Sequence, residues 1–139
     1  MVIRRRVLGD DYVDSALNHH DALTVEFQQF MTTYCWGGVW TDDRLVPRER
    51  SLIVLAITAA LGKMEEFEAH VAGALRNGIT PDELISVLRQ ITVYCGVPVG
   101  VVAQKSIRKV LASASSNGLI NSIMHKITDY EGMSNGTAK

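Results

Sequence analysis

Residues 63–78 read Lys63-Met64-Glu65-Glu66-Phe67-Glu68-Ala69-His70-Val71-Ala72-Gly73-Ala74-Leu75-Arg76-Asn77-Gly78. Met64, Phe67, Val71, Ala74 and Leu75 recur at the spacing of one apolar helix face, and Gly78 is a natural stop. At 100° per residue, Lys63, Glu66, His70 and Asn77 fall within about one quarter of the circumference, on the border of that face. Polar groups on such a border line a half-buried pocket, and a carboxylate four residues before an imidazole is placed to hydrogen-bond and tune it. Gly73 is expected to leave open space one turn beyond His70.

The same periodicity extends in both directions and predicts an all-α fold. Upstream, Pro47 opens a helix at a position where a missing N–H costs nothing, and Gly62 ends it. Its stretch 52–61 is apolar nearly all round, which predicts a central, buried helix. Downstream, Thr80-Pro81-Asp82-Glu83 carries a capping Thr, a first-turn Pro and a capping-box acid. That helix reaches Tyr94 and stops at Gly96. Pro98 begins another, with Val99, Ala103, Ile107, Val110, Leu111 and Ala114 on one face. Nearer the N-terminus, Asp10 or Asp11 is expected to cap a first helix. A second covers 21–34, with Leu23, Phe27, Phe30, Met31 and Tyr34 on one side. Cys35-Trp36-Gly37-Gly38-Val39-Trp40 reads as a loop with anchored indoles, because paired glycines favour neither helix nor strand. Leu119, Ile120, Ile123, Met124 and Ile127 form a last amphipathic stripe, and the polar residues 131–139 are expected to be mobile. The whole is a single-domain bundle of about six to seven helices.

Composition excludes several classes. Among 139 residues, 47% are hydrophobic and 21% charged, with a net charge of -1, so neither a nucleic-acid surface nor a membrane surface is indicated. The Arg4-Arg5-Arg6 cluster is short and reads as a solvated N-terminus. No apolar run approaches the roughly twenty residues of a membrane span, and no targeting signal is visible, so the cytoplasm is the expected location. Cys35 and Cys95 make no disulfide framework and read as small packing residues. The four histidines lack zinc-ligand spacing, so no metal is expected.

Six segments in order resemble the carboxymuconolactone decarboxylase family, within the alkylhydroperoxidase D-like superfamily. They are Arg5-Arg6-Val7-Leu8-Gly9, Tyr34-Cys35-Trp36-Gly37-Gly38-Val39-Trp40, Arg48-Glu49-Arg50-Ser51-Leu52, Glu66-x-x-x-His70, Asn77-Gly78-Ile79-Thr80-Pro81-Asp82-Glu83 and Tyr94-Cys95-Gly96-Val97-Pro98. The superfamily's peroxidase branch carries Cys-x-x-Cys where this chain has Lys63 and Glu66, and an acid where it has Ser51. A thiol peroxidase needs a thiolate and a resolving thiol there, so that activity is disfavoured.

The resemblance implies a cofactor-free decarboxylase acting on a carboxylated unsaturated lactone in aromatic catabolism, and a homo-oligomer, trimer or hexamer. His70 and Glu66 are the expected catalytic pair: His70 delivers the proton with Glu66 orienting it, or the roles are exchanged. Arg48, Arg50 and Lys63 are candidate carboxylate clamps. Trp36, Trp40, Cys95, Val97 and Pro98 are candidate pocket walls. Gly38, Val101 and Lys105 depart from the family pattern, which points to a different pocket wall and leaves room for another vinylogous or β-keto acid. A non-catalytic oligomeric binding protein is the remaining alternative.

Overall fold

The computed structural model describes residues 1–18 and 21–116, and among these every regular element is helical. In chain order they are α1 (Val2–Leu8), α2 (Asp10–Leu17), α3 (Ala22–Met31), a π-helical segment (Thr32–Val39), α4 (Pro47–Ala60), α5 (Met64–Arg76), α6 (Pro81–Cys95) and α7 (Val97–Ser116).

The strongest local signals set the second half. Thr80 Oγ1 accepts the Glu83 N–H at 3.2 Å, and the Glu83 carboxylate accepts the Thr80 N–H at 3.0 Å. This reciprocal cap starts α6 and satisfies two donors that a helix end leaves open. α4 starts at Pro47, with the Glu49 carboxylate accepting the Val46 N–H at 3.1 Å. Gly62, Gly78 and Gly96 end α4, α5 and α6 with φ of 68°, 86° and 92°, the left-handed region where a Cβ is penalised. α4 and α5 therefore fold back as an antiparallel hairpin, closed at its far end by Asn77 Nδ2 donating to Ser51 Oγ at 2.9 Å. Phe67, Val71 and Ala74 of α5 meet Leu55 and Ala59 of α4, Leu84 and Ile91 of α6, and Ala103, Ile107 and Leu111 of α7 in the main core. A second, smaller cluster of Val7, Leu8, Val13 and Trp36 joins α1 and α2 to the π-helical segment.

Several expectations require correction. The N-terminal arginines are not a solvated tail: they lie in α1, and Arg4 is buried. It stands three and four residues before Val7 and Leu8, on the face that α1 turns inward. Gly9, with φ 88°, both ends α1 and opens α2, so Asp10 and Asp11 occupy the first turn of α2 rather than capping it. The helix from residue 21 becomes α3, capped by Asp21, whose carboxylate accepts the Thr24 N–H at 2.9 Å.

Over 35–40, where the sequence predicts a loop, the chain stays helical to Val39. It widens into π turns, with the Trp40 N–H reaching the Cys35 carbonyl at 3.0 Å. Helical spacing of four residues brings both indoles to one side, and their packing supplies what the two glycines withhold.

α4 is central but not wholly buried: Leu55 and Ala59 face the core while Ile53 is 46%, Ile57 50% and Leu61 67% exposed. Gly73 leaves no space either. A Cβ built there would stand 2.8 Å from the Val7 carbonyl oxygen, so the missing side chain is what lets α1 lie against α5. The stripe at 119–127, the tail at 131–139, His19, His20 and His125 lie outside the described residues.

Candidate active site

Three flat rings meet where α5 passes the π-helical segment. The His70 ring lies 6.0 Å from Trp40 at an interplanar angle of 7°, and 6.3 Å from Trp36 at 16°. The two indoles stack on each other at 5.0 Å. Trp36 is buried in the smaller cluster, Trp40 and Ala69 pack on it, and α1 closes it from behind through the Gly73–Val7 contact. Helix phase thus points His70 away from the main core into an aromatic wall.

His70 is half-buried, and its Nδ1 is buried with no hydrogen-bond partner. Burial pushes its pKa below the ordinary 6.5, and the charge of Glu66 opposes that shift only in part. The imidazole is accordingly neutral at pH 7. Glu66 itself is exposed, and it acts on His70 through space rather than through a hydrogen bond. Lys63 is exposed at the N-cap of α5. Asn77, the last residue of the polar stripe, is spent on Ser51, whose hydroxyl in turn donates to the Pro47 carbonyl at 3.1 Å.

Trp40 has a second role. With Val39, Arg50, Ile53, Val54 and Ile57 it lines a groove of about 190 Å³ along the outer side of α4. Arg50 is fixed there from below: its Nη2 donates to the Asp42 carbonyl at 2.8 Å and its Nε to the Leu45 carbonyl at 3.2 Å. Its Nη1 takes no hydrogen bond among the described residues. The guanidinium already faces the Asp42 carboxylate at 3.9 Å from Nη2, which leaves Nη1 to hold a second carboxylate. Arg48 is engaged elsewhere, paired with Glu83 across α4 and α6. The Glu83 carboxyl is held below its usual pKa by the Thr80 N–H first and by Arg48 second.

The remaining candidates do not share this neighbourhood. Cys95 packs on the main core rather than on the tryptophans. Val97 is 65% exposed. Pro98 lines another groove, of about 420 Å³, with Ala59, Ala60, Leu61, Gly62, Met64, Val99 and Val102. Sequence reasoning missed Ile53, Val54 and Ile57 as groove residues. Their apolar character was the signal, and it was spent on the expectation of a buried helix. Among the described residues no cluster of three or more His, Cys, Asp or Glu could hold a metal, and no helix is long and apolar enough to cross a membrane.

Fold and site together define an all-helical protein whose half-buried imidazole faces an indole wall beside an arginine-bearing groove. Residues 26–105 match the Carboxymuconolactone decarboxylase family. The chain is 33% identical over 96 residues to 4-carboxymuconolactone decarboxylase of Acinetobacter baylyi, covering 69% of this chain and 72% of that protein. It is also 33% identical over 113 residues to nitrosuccinic acid decarboxylase of Metarhizium robertsii, covering 78% and 79%. The chain belongs to the carboxymuconolactone decarboxylase family.

Proposed function

We propose that the protein is a cofactor-free carboxy-lyase for a small, multiply carboxylated acid that carries its own electron sink. Its first candidate substrate is 4-carboxymuconolactone, converted to the 3-oxoadipate enol-lactone in cytoplasmic aromatic catabolism. Loss of CO₂ from the γ-carbon of that lactone sends an electron pair through the C=C bond to the lactone carbonyl. The dienolate then needs a proton at its α-carbon. No metal or organic group is required, because the substrate accepts the electrons itself.

The observation that carries this reading is the neutral, half-buried His70 with an unspent Nδ1 beside the two indoles. An anionic substrate arriving in that site favours the imidazolium. His70 therefore takes up a proton from solvent as the substrate binds and passes it to the carbanion. Glu66 supports the charged ring from one turn away. Arg50 anchors a carboxylate that stays, with Lys63 and Arg48 at greater reach. The apolar wall of Trp36, Trp40, Ile53 and Ile57 favours departure of the other as uncharged CO₂.

A second reading is favoured by the nitrosuccinic acid decarboxylase relative and by the departures at Gly38, Val101 and Lys105. Nitrosuccinate too has its sink built in, since a nitro group takes the pair as a nitronate. Both readings use the same His70 and Arg50. A third, a non-catalytic binding protein, predicts ligand binding without turnover.

We also propose that the working form is a homo-oligomer, a trimer or hexamer. α3 buries no residue within the chain, and Leu23, Phe27 and Phe30 on it are 81%, 59% and 58% exposed. Ile53 and Ile57 are exposed on the groove itself, so a second copy packed on α4 would seclude it.

The test is incubation with 4-carboxymuconolactone and, separately, nitrosuccinate, following ultraviolet absorbance. Turnover of the lactone, abolished by His70→Ala and retained in Cys95→Ser, supports the first reading. Turnover of nitrosuccinate only supports the second, and binding of either without turnover supports the third.

A further inference from the structure

Arg4 stands outside the site above. It is 1% exposed and among the largest fully buried side chains of the protein. A guanidinium taken out of water is normally paired with a carboxylate. Arg4 is not. Its Nη1 donates to Thr32 Oγ1 at 3.2 Å, and its Nε is buried with no partner. The groups that act on it electrostatically are Tyr12 and the like charge of Arg5, and neither is a carboxylate. The nearby acids Asp10 and Asp14 are held by Arg5, at 3.0 and 2.7 Å. Burial lowers the Arg4 pKa, yet an arginine begins so high that it stays charged.

Two more polar groups are unspent at the same place. Thr32 accepts from Arg4, so its hydroxyl proton is left to donate elsewhere, and among the described residues it has no acceptor. Gln28 Oε1 is buried without a donor. Thr32 and Gln28 both line a pocket of about 270 Å³ whose walls include Met1, Leu17 and Val25. Thr32 therefore offers a hydroxyl donor with a buried cation behind it, Gln28, Gln29 and Thr33 add polar groups, and Met1, Leu17 and Val25 make an apolar wall. That polarity matches an organic anion with an apolar body.

We propose that this pocket between α1, α2, α3 and the π-helical segment binds a small carboxylate with an apolar body. Thr32 Oγ1–H donates to the carboxylate, and Arg4 behind Thr32 supplies the counter-charge. The site shares no residue with the Arg50 groove or the His70 ring stack and stands whether or not those are catalytic.

Benzoate is the probe, with benzamide as its uncharged counterpart. The readout is the Arg4 Nε–H resonance in ¹⁵N-labelled protein, assigned by its loss in Arg4→Gln. Benzoate shifts this signal saturably and benzamide does not. Thr32→Val, which keeps the shape and removes the hydroxyl, weakens benzoate binding about tenfold. Val25→Trp, at a position already 48% exposed, fills the pocket and abolishes the shift. His70→Ala leaves it intact. An Arg4 signal indifferent to benzoate, one that answers benzamide equally, or one that still shifts in Val25→Trp overturns the proposal and leaves a water-satisfied structural arginine.

Discussion

Gly73 and His70, three residues apart on α5, show how differently single residues carry the fold and the chemistry. Gly73 is a steric requirement, with the Val7 carbonyl 2.8 Å from where a Cβ would stand. Gly73→Ala forces α1 off α5 and is predicted to cost about 1–3 kcal/mol, the usual range for overpacking, read from urea denaturation midpoints. His70 is an electrostatic commitment. Its folded pKa lies below the unfolded value near 6.5, so the unfolded chain binds the proton more readily. Its contribution to stability is complete above pH 6.5 and declines as pH falls through the folded pKa. Between pH 7 and pH 5 the wild type is thus expected to lose more stability than His70→Asn, measured by the same denaturation across pH. Equal losses would mean that the ring is not desolvated. The phase that pairs His70 with Glu66 was legible in the sequence because helical geometry is local. The fate of Gly73 was not, because its neighbour Val7 is 66 positions away and no local pattern signals a carbonyl contact.

At the scale of elements, legibility followed the strength of local signals. Pro47, Gly62, Gly78, the Thr80–Glu83 cap and Gly96 set their helix ends where side-chain and backbone geometry allow little else. Removing the cap is predicted to confirm this: Thr80→Ala should cost about 1 kcal/mol of stability, with the secondary structure of the rest unchanged by circular dichroism. Residues 35–40 read as a loop because Gly37 and Gly38 are locally poor in a helix. Stacking of Trp36 on Trp40 and burial of Trp36 against Val7, Leu8 and Val13 decide the conformation, and these are tertiary terms. π turns are uncommon and often mark functional sites, which fits a segment that supplies the wall for His70. Arg4 was misjudged for a related reason: three successive arginines look solvated, yet a helix turns each in a different direction and one of them inward.

Across the whole molecule, the unexplained quantity is exposed apolar surface. α3 contributes nothing to either core, and α4 with its C-cap shows Ile53, Ile57 and Leu61 to solvent. Protein surfaces tolerate scattered apolar residues but not two helix faces of them. Multi-angle light scattering is therefore expected to give a mass that is a multiple of 15.3 kDa, and Phe27→Asp with Ile57→Asp to reduce it. A monodisperse wild-type monomer would remove the oligomer from the account. Proton transfer by His70 is read most directly in the pH dependence of 4-carboxymuconolactone turnover. If His70 is neutral when free and protonated by substrate binding, the basic limb of kcat/KM falls below pH 6.5 and that of kcat lies at higher pH, since the first reports the free protein and the second the complex. His70→Gln should lower kcat by about 10²–10⁴-fold and erase both limbs. Coincident limbs, or a profile unchanged in His70→Gln, would contradict the assignment of His70 as the group that carries the proton.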